Sequence, residues 1–241
     1  MAEEKLKTAV VGLDEGGRKL LAGLSRLGNL FEISAVADAD ADTAQTAGRM
    51  HAAESFDDLR RMFAQKELDL VVSSGPLHNC LEHLQSAMKR GTHILRYPPP
   101  ARSFDEASAL FKLAEESDVV FATARWWRHR QAYAALREYI QANPEEQFYL
   151  VEAWCSALEP KGHTWLRDPQ LAGGGVVLNL AYPLIDQMMA MFPAPQQVFA
   201  LCTNQAPDRK QRSLLTEETA VVSMVFGDRM TGKITASRSM W

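Results

Sequence analysis

The 241-residue chain is 46% hydrophobic and 23% charged, the composition of a globular protein and not of a disordered one. Its 26 basic and 30 acidic side chains leave a formal net charge of −4, which gives no footprint for nucleic acid or an anionic membrane surface. No apolar run approaches the ~20 residues of a membrane span. The start Met1-Ala2-Glu3-Glu4-Lys5 lacks the basic-then-apolar pattern of a secretory signal. Cys80, Cys155 and Cys202 are scattered without metal-type spacing, which predicts reduced structural thiols, no metal site and a cytoplasmic chain.

The first ~120 residues alternate short apolar strands with helical stretches, the pattern of a parallel α/β sheet. Thr8 to Val11 reads as a strand, followed by a helix through Arg18 and Leu24 that ends near Gly28-Asn29. Ile33 to Ala37 is the second strand, and helices follow from Ala41 to Arg49 and from Phe56 to Ala64. Leu70 to Ser73 reads as a buried strand and His78 to Lys89 as a helix stopped by Gly91. A strand opens at Ile94-Leu95 and meets Pro98-Pro99-Pro100; Asp105 to Ser117 is helical and Val119 to Thr123 extended. The rhythm then changes. Phe148 to Ala157, Gln197 to Asn204, Ala220 to Phe226 and Met230 to Ser237 read as long strands, with one helix expected from Gly173-Gly174-Gly175 to Met191. This predicts a Rossmann-type doubly wound domain over residues 1–125. An α+β domain with an open, mainly antiparallel sheet would follow over 126–241.

Ten residues into the chain, Gly12-Leu13-Asp14-Glu15-Gly16-Gly17 lies between strand and helix. The G-x-G-x-x-G turn of dinucleotide sites uses its glycines for the turn, for approach to the diphosphate and for helix–strand packing. Here Gly12 and Gly17 fill the first and third places, and Asp14 stands at the second. A carboxylate there repels a diphosphate, or it serves as a negative charge stabilising the helix start, worth ~0.3–1 kcal/mol. Asp38 ends the second strand, where a carboxylate accepts ribose hydroxyls and disfavours a 2′-phosphate. It favours NAD over NADP, unless it is simply an acid at the start of the next helix.

The order of these motifs resembles the Gfo/Idh/MocA family of NAD(P)-dependent oxidoreductases, which act mostly on sugars, inositols and related polyols. Val36-Ala37-Asp38, the approach Ala87-x-x-x-Gly91-Thr92-His93-Ile94-Leu95, and Trp165-x-x-Asp168-Pro169 before Gly173-Gly174-Gly175 carry the resemblance, with Gly227 and Ser237 in a late hairpin. It implies a cofactor crevice lined by Gly12, Leu13, Asp14, Gly16, Gly17, Asp38, Ser73, Ser74 and His78. His78 has the plain alternative of starting a helix. Arg128, within Arg125-Trp126-Trp127-Arg128-His129-Arg130, matches a family arginine and is either a ligand contact, with Asn179, or part of a packing corner.

The residues that carry the family's chemistry are replaced. Its Glu-Lys-Pro becomes Tyr97-Pro98-Pro99, so a proline without amine or N–H stands for the lysine. The Asp and His that follow the triple glycine, expected on one helical face, become Asn179 and Pro183. Neither of these abstracts a proton near neutral pH. The resemblance therefore implies an oxidoreductase-fold protein without intact catalysis, in which NAD binding is retained or lost. The alternatives are an active enzyme on a sugar- or polyol-like ligand, rewired around Tyr97 beside Arg96, and a structural module that pairs copies of the chain through the second-domain sheet.

Overall fold

The computed structural model describes residues 4–158, 164–206, 208–212 and 214–239. The chain divides into two compact units, residues 1–124 and 125–241.

In the first unit, each apolar run forms a strand and each amphipathic stretch returns over the sheet. The order is β1 (Leu6–Val11), α1 (Glu15–Arg26), β2 (Phe31–Ala37), α2 (Ala41–His51), β3 (Glu54–Phe56) and α3 (Leu59–Gln65). Then come β4 (Leu70–Ser73), α4 (Leu77–Met88), β5 (His93–Arg96), α5 (Phe104–Glu116) and β6 (Phe121–Thr123). All six strands are parallel, in the order β3-β2-β1-β4-β5-β6. Both faces of the sheet are buried, as parallel sheets require. Val10, Val36 and Val72 pack with Leu21 and Leu24 on one side, and Ala9, Val11 and Val71 with Leu84 and Leu110 on the other. Strand order reverses between β1 and β4, so their carboxyl ends diverge and leave the crevice in which such sheets bind ligands.

Short polar residues set the helix starts. Asp14, Asp40, Asp58 and Ser103 each accept a hydrogen bond from the first turn of α1, α2, α3 and α5. The cap at Asp58 explains one departure from the sequence reading: Phe56 ends a strand, and the helix expected from Phe56 begins at Leu59.

The second unit begins with a 3₁₀ turn at Trp126–His129 and α6 (Gln131–Ala142), then β7 (Leu150–Ser156). A 3₁₀ turn at Thr164–Arg167, α7 (Pro169–Ala172), α8 (Val176–Asn179) and α9 (Tyr182–Met191) follow. The chain closes with β8 (Gln197–Thr203), α10 (Arg209–Arg212), β9 (Thr219–Phe226) and β10 (Met230–Ser237). The sheet runs β7-β10-β9-β8, antiparallel except for the parallel pair β10–β7. Val176, Ala181 and Met188 bury one of its faces against Val222, Met224, Phe226 and Ile234. Register puts Leu150 and Trp154 of β7, Val221 and Val225 of β9, and Phe199 and Leu201 of β8 on the other. Trp154 is 76% exposed and Leu201 80%, with the Lys233–Glu152 ion pair at 3.4 Å among them.

The single helix expected from Gly173 to Met191 is instead two. Pro183 lies in the first turn of α9, where its missing N–H costs nothing, and Leu180-Ala181 form the joint. Asn179 closes α8 and Pro183 opens α9. The two therefore do not share the face of one helix that their spacing predicted.

Candidate functional site

The turn from β1 to α1 is as tight as its glycines suggest. Gly12 has φ +78°, and a Cβ there would lie 2.2 Å from the Gly75 nitrogen. A Cβ on Gly17 would lie 1.8 Å from the Gly12 carbonyl oxygen, so helix and strand meet only because that position is glycine. Asp14 stands in the middle. Its Oδ1 accepts from the Gly17 N–H at 2.8 Å and from the Ser74 hydroxyl at 2.5 Å. The carboxylate thus sits on the helix start, the place where a diphosphate would receive backbone N–H groups. Beside it, a Cβ on Gly16 would meet Ser74 Oγ at 2.8 Å and the Tyr97 ring at 2.9 Å. Tyr97 therefore packs against the first turn of α1, its own N–H donating to the Ser73 carbonyl at 2.7 Å.

Asp38, the residue after β2, points into the same turn. Its Oδ2 accepts from the Leu13 N–H at 2.6 Å and its Oδ1 from the Asp40 N–H at 2.9 Å. Each oxygen has a second lone pair, so a ribose diol still fits there. At Asp14 the carboxylate and, next to Gly16, the Tyr97 ring stand together at the start of α1. Between α1 and α2 lies a cavity of 540 Å³ whose wall includes Leu13, Arg18, Leu21, Ala47, Met50 and His51. Of the expected cofactor residues, Leu13 alone lines it.

Ser73 ends β4 fully buried, its hydroxyl 3.7 Å from Cys80 Sγ and 3.3 Å from Arg96 Nη1. His78 lies within the first turn of α4. The expected residues Gly12, Leu13, Asp14, Gly16, Gly17, Asp38, Ser73 and Ser74 thus converge on one turn with Tyr97. Arg96 is the addition. The residue is only 4% exposed, and burial pulls its pKa below the ordinary value against the opposing influence of Cys80 and Asp14.

In the second unit, Arg128 is bound by Asp186. Arg128 Nε and Nη2 donate to Asp186 Oδ2 and Oδ1 at 2.6 and 2.5 Å, and Trp127 Nε1 donates to Oδ2 at 2.7 Å. Hydrogen bonding to Asp186 raises the Arg128 pKa further. Burial beside the same carboxylate raises that of Tyr182, whose ring meets the Trp127 ring edge-on at 6.0 Å. This is a fork-to-fork pair, with Arg125 3.9 Å from the same carboxylate. Asn179 turns back on the glycine run, donating to the Gly174 and Gly175 carbonyls at 2.7 and 3.3 Å. The start of α8 is filled by Glu217, whose two oxygens accept from the Gly175 and Val177 N–H groups at 2.9 and 3.0 Å.

Sequence reasoning missed Asp186 and Glu217, and met Arg96 only as a neighbour of Tyr97. A single acid within the apolar stretch Tyr182–Met191 was a usable signal for Asp186, since a lone carboxylate there needs a cation. Glu217 gives none in sequence, because its partners lie about forty residues away.

Comparison with known proteins identifies the family and the fold. Residues 6–124 match the oxidoreductase family with NAD-binding Rossmann fold, and residues 133–241 match the GFO/IDH/MocA C-terminal domain. The chain is 26% identical over 206 residues to D-glucoside 3-dehydrogenase of Escherichia coli, covering 83% of this chain and 58% of that protein. It is 24% identical over 184 residues to levoglucosan dehydrogenase of Pseudarthrobacter phenanthrenivorans, covering 74% and 47%. The chain thus spans about half the length of the curated relatives it matches. Among solved structures, the WlbA dehydrogenase of Bordetella pertussis in complex with NADH and UDP-GlcNAcA superposes with a TM-score of 0.86 at 18% identity, covering 99% of this chain and 73% of that one. Glycine turn, switch-point crevice and second sheet all follow one plan: the chain belongs to the Gfo/Idh/MocA family of oxidoreductases.

Proposed function

We propose that this chain is a member of the family whose dinucleotide turn is occupied by its own side chains and whose dehydrogenase chemistry is lost or altered. The observation that carries this reading is Asp14, held between the Gly17 N–H and the Ser74 hydroxyl where a diphosphate would lie. The replaced catalytic positions support it. Pro98 has no amine, Pro183 opens a helix, and Asn179 is bonded to the glycine run. General acid–base help is worth ~10²–10⁴-fold, so a chain without these groups lacks that part of the family's rate enhancement.

Calorimetric titration of NAD⁺, NADH and NADPH into the wild type and into Asp14→Gly tests this. The expected result is no binding by the wild type and measurable binding by the variant, with NADH preferred over NADPH because Asp38 remains. Tight binding by the wild type overturns the reading. It would revive the alternative of an active enzyme on a sugar- or polyol-like substrate, the class for which the dehydrogenase relatives are named, with Tyr97 as the proton-transferring group at the turn.

The exposed face of the second sheet supports a further part of the proposal, pairing of this chain with a second copy. Apolar Leu150, Trp154, Phe199 and Leu201 share that face, the kind of patch that marks an interaction surface. Sedimentation of Trp154→Lys against wild type checks it: the wild type should sediment as a dimer and the variant as a monomer. A monomeric wild type removes this part.

A further inference from the structure

α1 and α2 cover one face of the first sheet, with Leu21, Leu24 and Ala47 packed on Val10 and Val36. Above that layer the two helices do not close on each other. Ala22 of α1 faces Thr43, Thr46 and Ala47 of α2 across a groove of 540 Å³, within the range of about 300–1,000 Å³ usual for small-molecule sites. Buried Leu13 and Leu21 supply its floor. Met50 stands on its wall 76% exposed, an apolar side chain left open to solvent beside an apolar floor.

Both ends of the groove present hydrogen-bond acceptors. At the start of α2 these are the carboxylates of Asp40 and Asp42; Asp40 Oδ1 takes the Thr43 N–H at 2.9 Å, and a carboxylate has lone pairs for further donors. At the other end stands His51, whose acceptor is fixed by its neighbour. Ser25 Oγ lies 2.9 Å from the Leu21 carbonyl and 2.8 Å from His51 Nδ1. The carbonyl can only accept, so the single hydroxyl proton goes to Leu21 and the His51 Nδ1–H donates to Ser25. In the neutral ring this leaves Nε2 as the acceptor. Asp42 and His51 open and close α2, about 13 Å apart along its axis.

We propose that the groove between α1 and α2 binds a flat two-ring aromatic molecule with a hydroxyl at each end, a diphenol. A flat body suits a gap walled by alanine and threonine. Its rings would rest on Leu13 and Leu21, with the Met50 sulfur at a ring edge and the guanidinium of Arg18, another wall residue, over a ring face. Its two O–H groups would meet His51 Nε2 at one end and the acids of α2 at the other, and bringing them in from both ends matches the length of two linked rings. An anionic ligand is disfavoured, because Asp40 and Asp42 repel it. Of the residues expected to hold a dinucleotide, Leu13 alone lines this groove, so the proposal stands whether or not a dinucleotide binds.

Calorimetric titration of 4,4′-dihydroxybiphenyl into the full chain provides the test. Saturable binding at one site per chain is expected, with 4-hydroxybiphenyl about five- to tenfold weaker for want of one hydrogen bond. His51→Phe, which keeps a ring and loses the acceptor, should weaken the diphenol by about the same factor. Ala22→Phe fills the groove and should weaken binding about tenfold or more; Thr46→Phe fills it from the other wall should the first variant fail to fold. Absence of saturable binding overturns the proposal, as does undiminished binding by a folded groove-filling variant. Equally tight binding of 1,8-octanediol overturns it too, since a flexible chain makes no use of Arg18. Asp14→Gly should bind the diphenol as the wild type does, and loss of binding there would place the ligand in the dinucleotide turn and overturn the groove.

Discussion

The two glycine-rich helix starts solve one physical problem at different ranges. Both the turn before α1 and the turn before α8 gather backbone N–H groups that need an acceptor, and both receive a carboxylate. At α1 it comes from Asp14, three residues before its partner Gly17. At α8 it comes from Glu217, from the segment leading into β9, with the Glu217 carbonyl also accepting from the Val176 N–H at 3.0 Å. The first is a cap that one side chain supplies within three residues, the same oxygen also holding the Ser74 hydroxyl. The second ties a four-residue helix to the sheet and is part of the second unit's tertiary structure. A helix start filled from next door can lose its ligand without losing its fold, and a start filled from afar cannot easily do so.

The largest effects should come from the glycines that both turns share. A Cβ on Gly17 would lie 1.8 Å from the Gly12 carbonyl and one on Gly175 would lie 2.0 Å from that of Glu217. Gly17→Ala and Gly175→Ala should each lose more than about 4 kcal/mol, read by urea denaturation. Next comes Glu217→Ala, which strips the Gly175 and Val177 N–H groups of their acceptor and should cost about 2–3 kcal/mol. Asp14→Ala should cost less, about 1 kcal/mol, and Asp14→Gly only a few tenths. If Asp14→Ala costs as much as Glu217→Ala in the same urea series, the distinction between a local and a tertiary cap fails.

The smallest effect belongs to Glu15, the other acid in the first turn of α1. Its hydrogen bond to Lys19 holds its carboxyl below the ordinary carboxylate value, but both side chains are exposed. Glu15→Ala should therefore stay within ~0.5 kcal/mol of wild type at neutral pH. A depressed acid contributes above its unfolded pKa, and the contribution disappears as pH falls through the folded value. The difference between wild type and Glu15→Ala should accordingly vanish on acidification below the carboxylate range.

The sequence was most legible where local chemistry decides structure. Leu70-Val71-Val72-Ser73 announces a buried strand because both its faces are apolar. Gly12 and Gly17 announce the turn because other residues would clash there. The single helix read from Gly173 to Met191 failed because apolar periodicity runs straight through the joint before Pro183. α6 was not foreseen, although Tyr133, Leu136 and Ile140 recur there at helical spacing; none of its residues is buried. At the site, Asp14 was legible as a departure from a pattern. Its bond to Ser74, sixty residues on, was not, because only the fold brings β4 beside β1.

The register of the second sheet has a dynamic consequence. Among the described residues β8 pairs only with β9, and all seven of its residues are exposed. β10 lies between two neighbours, with Met230, Gly232, Ile234 and Ala236 buried. Opening β8 breaks one ladder and uncovers little apolar surface, whereas opening β10 breaks two and uncovers the core. Amide hydrogens of β8 should therefore exchange with solvent first and those of β10 last, near the rate of global unfolding. The sheet has a slow centre and a fast margin, and the exposed apolar residues Phe199 and Leu201 ride on the fast margin.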